Sequence, residues 1–181
     1  MRILLNETMA LVIDFQERLL PAMFNQEELI KNTKNLIKGF NVLDVPTIVT
    51  QQYTRGLGMT VNELQEEFNG EFTYYDKVEF SCYDNEEIKR QIKKMNKKNI
   101  IICGIESHIC VQQTVIDLLA NDYNVILIKD CIGSRKTEDT ITAIQRMISE
   151  GVTITSYESV LFELTRKAGT ETFKSISKII K

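Results

Sequence analysis

A single histidine, His108, stands among 181 residues, and that scarcity is the first constraint on chemistry. It excludes a multi-histidine metal site, and it excludes a histidine-based nucleophile triad unless this one imidazole serves it. Any second catalytic cation must then be lysine or arginine. Cysteine is sparse too: Cys82, Cys103, Cys110 and Cys131 sit in unrelated segments without a C-x-x-C spacing. That pattern argues against a zinc site or a disulfide framework and for reduced thiols. No apolar run approaches the length of a membrane span, and the opening MRILLNETMALVIDF carries acidic residues and no small-residue cleavage site. The expectation is a soluble cytoplasmic protein that makes no membrane contact. A net charge of −3 speaks against a large nucleic-acid footprint, and with no metal-ligand cluster it gives a nuclease little support. Long linkers, low-complexity stretches and internal repeats are absent as well.

What is present is enough for a core: 43% of the residues are hydrophobic, and the length suits one domain over residues 1–181. Strand and helix patterns alternate along the whole chain. Residues 9–14, MALVID, read as a first strand, followed by a helix over 27–42. A strand at 46–50, a glycine-containing loop at 53–60, a short helix at 61–68 and a weaker strand at 72–76 come next. A charged amphipathic helix covers 85–95. Apolar Ile100–Cys103 is the fourth strand, ended by Gly104, and 124–129 is the fifth. A helix over 136–150 capped by Gly151, a strand at 152–155 and helices at 159–167 and 171–180 complete the pattern. This alternation implies a three-layer α/β/α domain with a six-stranded parallel sheet of Rossmann-like topology and right-handed crossovers. Ligands in such sheets bind beyond the carboxyl ends of the strands, near the switch in strand order, where Asp14, the Asp76-Lys77 pair and the turn before Cys110 would gather.

The stretch NIIICGIESHICVQQTVIDLLAN is the most informative. From Val111 the apolar positions recur at helical spacing, so Cys110 falls in the first turn of a helix that follows a buried strand. Backbone N–H groups there can stabilise a thiolate, lowering its pKa from about 8.5 to roughly 3.5–7.5, and can hold the oxyanion of an attacked carbonyl. The plainer alternative is a buried, inert cysteine, which is how Cys103 reads. Asp14 ends an apolar strand at the sheet's carboxyl edge, although a turn aspartate satisfying backbone amides has the same signature. Lys77, taken alone, is an ordinary surface charge. His108 can serve as a base only by folding back across the turn; packing or substrate contact is the alternative.

Three segments together, ALVIDFQERL, YDKVEFSCYDN and CGIESHICVQQT, resemble the isochorismatase-like cysteine hydrolases, and KDCIGSRKTEDTITAIQRM resembles a further stretch of that family. The likeness spans essentially the whole chain and is nearest to isochorismatase domain-containing proteins. It implies that Cys110 attacks an amide or related carbonyl of a small-molecule substrate, that Asp14 relays the proton, and that Lys77 supplies positive charge, with no cofactor. It also implies a non-proline cis peptide at Ile105-Glu106, aiming backbone N–H groups at the oxyanion, and self-association, as a dimer or tetramer. The Ile- and Phe-rich C-terminal helices are the expected interface. Phe15, Gln16, Gln52, Tyr53, Leu57 and His108 are the expected pocket residues, and Arg135 is expected to brace the turn after the fifth strand. Nicotinamidases carry a metal-binding D-x-H motif after the second strand, where this chain has Thr50-Gln51-Gln52-Tyr53-Thr54. No metal is therefore expected, and a nicotinamidase-like amidase is the alternative enzyme. A family member kept only for binding or scaffolding is the alternative to catalysis.

Overall fold

A computed structural model describes residues 2–181. In chain order the elements are β1 (Thr8–Ile13), α1 (Gln26–Val42), β2 (Thr47–Gln52), the one-turn helices α2 (Thr54–Leu57) and α3 (Asn62–Gln65), β3 (Tyr75–Lys77) and α4 (Glu86–Met95). They continue with β4 (Asn99–Ile105), a π-helical turn (Ser107–Val111), α5 (Gln112–Ala120), β5 (Asn124–Gly133), α6 (Thr137–Ser149), β6 (Thr153–Thr155), α7 (Tyr157–Thr165) and α8 (Glu171–Ile180). The six strands form one all-parallel sheet in the order β3-β2-β1-β4-β5-β6. The expected three-layer architecture is the observed one.

Strands covered on both faces call for near-continuous apolar runs, and β1 and β4 have them after Thr8 and Asn99, whose side chains bond each other; all thirteen residues are buried. Alternate side chains feed two separate cores. Ala10, Val12, Ile101 and Ile126 pack with Leu36, Phe40 and Leu161 of α1 and α7. Met9, Leu11, Ile100 and Leu127 pack with Ile88, Val115 and Met147 of α4, α5 and α6. The topological switch lies between β1 and β4, since the chain builds leftward to β3 before crossing back to β4. Ligand crevices in open α/β sheets form at such a switch.

Several boundaries differ from the sequence reading. Gly104 does not end β4. The strand runs through it to Ile105, with φ of +152° and a backbone so close to β1 that an added Cβ would lie 2.6 Å from the Ile13 carbonyl oxygen. Glycine is there for close approach, a role that sequence alone does not separate from strand breaking. β3 is shorter and later than 72–76, because Phe72 stacks on Tyr74 and packs against Phe68 instead of joining the sheet. The helix expected over 61–68 is only one turn. β5 outruns 124–129 to Gly133, its pairing with β4 shifting register after Leu127. The shifted segment is held by Asn32, which donates to the Asp130 carbonyl, and by Asp130, which accepts from the Tyr157 N–H.

The C-terminal helices also depart from their expected role as an interface. Ile176 of α8 is fully buried, and Phe173 packs on Phe162 of α7, so the apolar face of α8 is used within the chain. Large apolar side chains that do face solvent include Phe24, Tyr53, Val78 and Phe80. No described helix is long and apolar enough to cross a membrane.

Candidate active site

Asp14 follows β1 in the left-handed region, at φ of 57°, a conformation that aspartate tolerates better than most residues. The Gln16 N–H closes the turn onto the Asp14 carbonyl, and the Asp14 N–H reaches the Thr50 carbonyl of β2. This turns the carboxylate across the sheet edge rather than outward. Thr50 Oγ1 donates to Asp14 Oδ1 at 2.8 Å, and Lys77 Nζ donates to Oδ2 at 2.7 Å. Both charged side chains are fully shielded from solvent.

The Lys77 ammonium sits in a complete cage. Besides Asp14 it meets Gln52 Oε1 at 2.6 Å and the carbonyls of Glu79 and Phe80 at 3.3 and 3.2 Å. Burial by itself pulls the lysine pKa down. The Asp14 charge and hydrogen bond act the other way, as do the Cys82 and Cys110 sulfurs once ionised, and together they hold Lys77 above its ordinary value. Lys77 is thus a fixed cation, not a proton shuttle at neutral pH.

Cys110 enters from the π-helical turn, in which the Val111 N–H reaches back five residues to the Glu106 carbonyl. Such widened turns are frequent at functional sites. The preceding Ile105-Glu106 peptide is cis. Thr114 of α5 accepts from the Cys82 N–H and donates to the Cys110 carbonyl, tying the loop after Lys77 to the turn that carries the thiol. Cys110 Sγ lies 3.9 Å from Gln52 Oε1, with Asp14 and Lys77 as its charged neighbours. Cys110 is 6% exposed, whereas Cys82, Cys103 and Cys131 are all at 0%.

The expected lowering of the Cys110 pKa is not what this environment produces. Burial pushes the thiol well above its ordinary value, and the Asp14 carboxylate pushes it further; Lys77 pulls down but does not offset them. In the resting site Cys110 is a thiol beside a carboxylate. Cys82 behind it is likewise pushed up, to about 11, chiefly by burial.

The expected pocket residues divide sharply. Gln52 is at the centre, touching both Lys77 and Cys110. Phe15 is buried in the core, so it does not line a pocket. Gln16 is also consumed internally: its amide donates to the carbonyls of Gln52 and Gly58 and its Oε1 accepts from the Gln52 N–H, clamping the β2 loop. Tyr53 is exposed with its ring against Gly56, and Leu57 is half-buried in α2. His108 points elsewhere. Its Nδ1 meets Ser134 Oγ at 2.9 Å, and its Nε2 is 4.0 Å from Asp139 on α6. Arg135 pairs with Glu106 at 3.0 Å, so the turn after β5 braces the cis peptide.

Thr50, Cys82 and Thr114 were not singled out from sequence. Each is a common residue within a regular or loop segment, and only the fold brings them to the site. Ser107, in the same turn as Cys110, has a buried hydroxyl without a protein hydrogen-bond partner. A separate cavity of about 230 Å³ lies at the end of β5, between Phe24, Leu29, Asp130, Ile132 and Thr140, and none of the Asp14, Lys77 and Cys110 group lines it. Among the described residues, no group of three or more His, Cys, Asp or Glu side chains converges as a metal-binding cluster. At the position of the nicotinamidase motif, Gln52 is occupied by Lys77, and Thr54 Oγ1 contacts Asp76 and Gln51.

Comparison with known proteins supports the fold and gives the family. Residues 8–159 match the family model described as the isochorismatase domain. Isochorismatase family protein 1B of Dictyostelium discoideum is 37% identical over 180 residues, 97% of this chain and 87% of that one. Among solved structures, the MAR1 ribonuclease from Caenorhabditis elegans superposes with a TM-score of 0.93 at 33% identity, covering 99% of this chain and 92% of that one. YcaC from Pseudomonas aeruginosa, solved with hexane-2,5-diol and covalent acrylamide, gives a TM-score of 0.91 at 27% identity over 98% of this chain and 91% of that one.

Proposed function

The chain belongs to the isochorismatase-like hydrolase family, and on that premise we propose that it is a cysteine hydrolase cleaving the C–N bond of a small amide, or a related carbonyl compound, through a thioester on Cys110. The observation that carries this reading is the solvent-shielded Asp14–Lys77 pair beside the single cysteine that keeps exposed surface. As the sulfur attacks the carbonyl carbon, its proton passes to Asp14. The C–N bond then breaks, the leaving amine takes that proton from Asp14, and the acyl group stays on sulfur. Water, deprotonated by Asp14, hydrolyses the thioester, and the proton returns to the departing thiolate. Lys77 keeps its charge throughout and offsets the negative charge that moves between carboxylate and sulfur. Backbone N–H groups of the turn from Ile105 to Cys110 are the donors for the carbonyl oxygen. The covalent acrylamide of the Pseudomonas YcaC supports a centre in this fold that holds a small amide-bearing molecule.

The test is mass spectrometry of the protein incubated with a panel of small amides. The expected result is an acyl adduct on Cys110 and product release, both lost in Cys110→Ala. Product release that survives Cys110→Ala would overturn the thioester route, and saturable ligand binding without turnover would favour the binding-only alternative. The ribonuclease name of the Caenorhabditis relative favours a second reading, nucleic-acid cleavage. Metal-dependent RNA cleavage by protein checked for contaminating nuclease would favour it, and no cleavage under those conditions would remove it.

A further inference from the structure

Besides the Asp14 carboxylate, Gln52 has a neutral side chain that touches both Lys77 and Cys110, and its orientation is forced. Lys77 has only donors and the Val78 carbonyl is only an acceptor. With Nζ at 2.6 Å and the Val78 oxygen at 2.8 Å, Oε1 must face the ammonium and Nε2 the carbonyl. The backbone of Gln52 is fixed as well, both its N–H and its carbonyl bonded to the Gln16 amide. One Nε2 hydrogen is spent on the Val78 carbonyl, and the second stays open for a substrate.

What remains at Oε1 is a lone pair, and Cys110 Sγ lies 3.9 Å from it in donor geometry. An S–H can donate there; a thiolate cannot, and would face the lone pair of a fixed oxygen. We propose that Gln52 is a positioning residue that holds Cys110 as a protonated thiol, aimed between Asp14 and Lys77, until substrate draws the sulfur away. This rests on the Asp14–Lys77–Cys110 reading and adds to it a reason for a neutral amide at this place. A carboxylate there would add a second negative charge beside the thiol, and an apolar side chain would leave Lys77 one acceptor short. The titratable groups facing Cys110 are Asp14 from the β1 turn, Lys77 from β3 and Cys82 from the loop after it. His108, on the same turn, is engaged with Ser134.

The experiment is the rate of iodoacetamide labelling at Cys110, mapped by peptide mass spectrometry across pH, in wild type, Gln52→Leu, Gln52→Glu, Lys77→Met and Asp14→Asn. A hydrogen bond to the neutral form opposes ionisation, so its removal eases ionisation. Gln52→Leu is expected to shift the profile to lower pH, labelling several-fold faster at a given pH below the midpoint. Gln52→Glu is expected to shift it to higher pH. A purely structural Gln52 would lower thermal stability and leave both profiles in place, and that result would overturn the proposal. If Gln52→Leu fails to fold, Gln52→Glu, which retains an acceptor for Lys77, decides by the same criterion. Unmoved Gln52 profiles alongside shifted Lys77→Met and Asp14→Asn profiles would remove only the role of Gln52. Unmoved profiles in all four variants would remove the underlying site.

Discussion

The turn that carries Cys110 has two sides, and they are built differently. Toward β1, β2 and β3 it faces a fully buried ion pair, a caged ammonium and a clamped carboxamide. Toward β5 and α6 it faces a half-open pair, Arg135, whose side chain is 58% exposed, on the buried Glu106, and His108 bonded to Ser134. Both sides contain charges of opposite sign at hydrogen-bonding distance. Only on the first are both charges cut off from water, and there each partner depends on the other, because an isolated buried charge is costly whereas an exposed one is simply hydrated. Charge pairing thus distinguishes a candidate reaction centre from a brace only when burial is considered with it.

The largest expected effect lies on the buried side. Lys77→Met leaves the Asp14 carboxylate shielded and unpaired, at a cost of about 3–5 kcal/mol in unfolding free energy. Adding Asp14→Asn should restore part of that loss. Arg135→Ala should cost less, about 1 kcal/mol, since the Arg135 side chain is largely hydrated and Glu106 keeps the backbone N–H of residue 135. Urea denaturation of the three variants measures the contrast, and equal losses from Lys77→Met and Arg135→Ala would erase it.

The pH dependence of the pair sharpens it further. Because Lys77 is held above its ordinary value in the folded state, its contribution is complete below the unfolded lysine value of about 10.4 and is lost as pH rises from there through the folded value. The stability gap between wild type and the Lys77→Met, Asp14→Asn double variant should stay level from neutral pH to about 10 and narrow above it. A gap that narrows between pH 7 and 9 would contradict the cage.

Thiol chemistry gives the next contrast. Cys110 should label before Cys82, Cys103 and Cys131 because it alone has exposed surface, yet slowly at neutral pH because burial and Asp14 hold it protonated. Its rate should climb about tenfold per pH unit below its pKa. A plateau already reached at pH 7 would show a resting thiolate. The smallest effect is expected from His108→Gln, on the far side of the turn, which should leave that profile where it is. A shift of a full unit would move the histidine to the chemistry side.

Much was legible in the sequence. Periodicity identified six strands and their alternation with helices, because a parallel sheet buried on both faces imposes continuous apolar runs such as ALVI and IIIC. The three segments bearing Asp14, Lys77 and Cys110 were readable for the same reason, since each follows or ends a strand at the sheet's carboxyl edge. Boundaries were less legible where a residue has two uses. Gly104 serves close packing against Ile13 inside a strand, and Phe72 trades strand pairing for aromatic stacking.

What only the tertiary structure decided is the electrostatic state of the site. A helix start and a nearby lysine, read along the chain, lower a thiol pKa. Burial and a carboxylate from a strand almost a hundred residues earlier raise it, and those terms prevail. The same holds for Gln52 and Gln16, one placed between Lys77 and Cys110 and the other spent on backbone carbonyls, though both read as polar pocket residues. Spacing along a chain reports which residues share an edge. Solvent exclusion and the competition for each donor and acceptor are properties of the packed volume, and they exist only once β1, β2, β3 and β4 lie side by side.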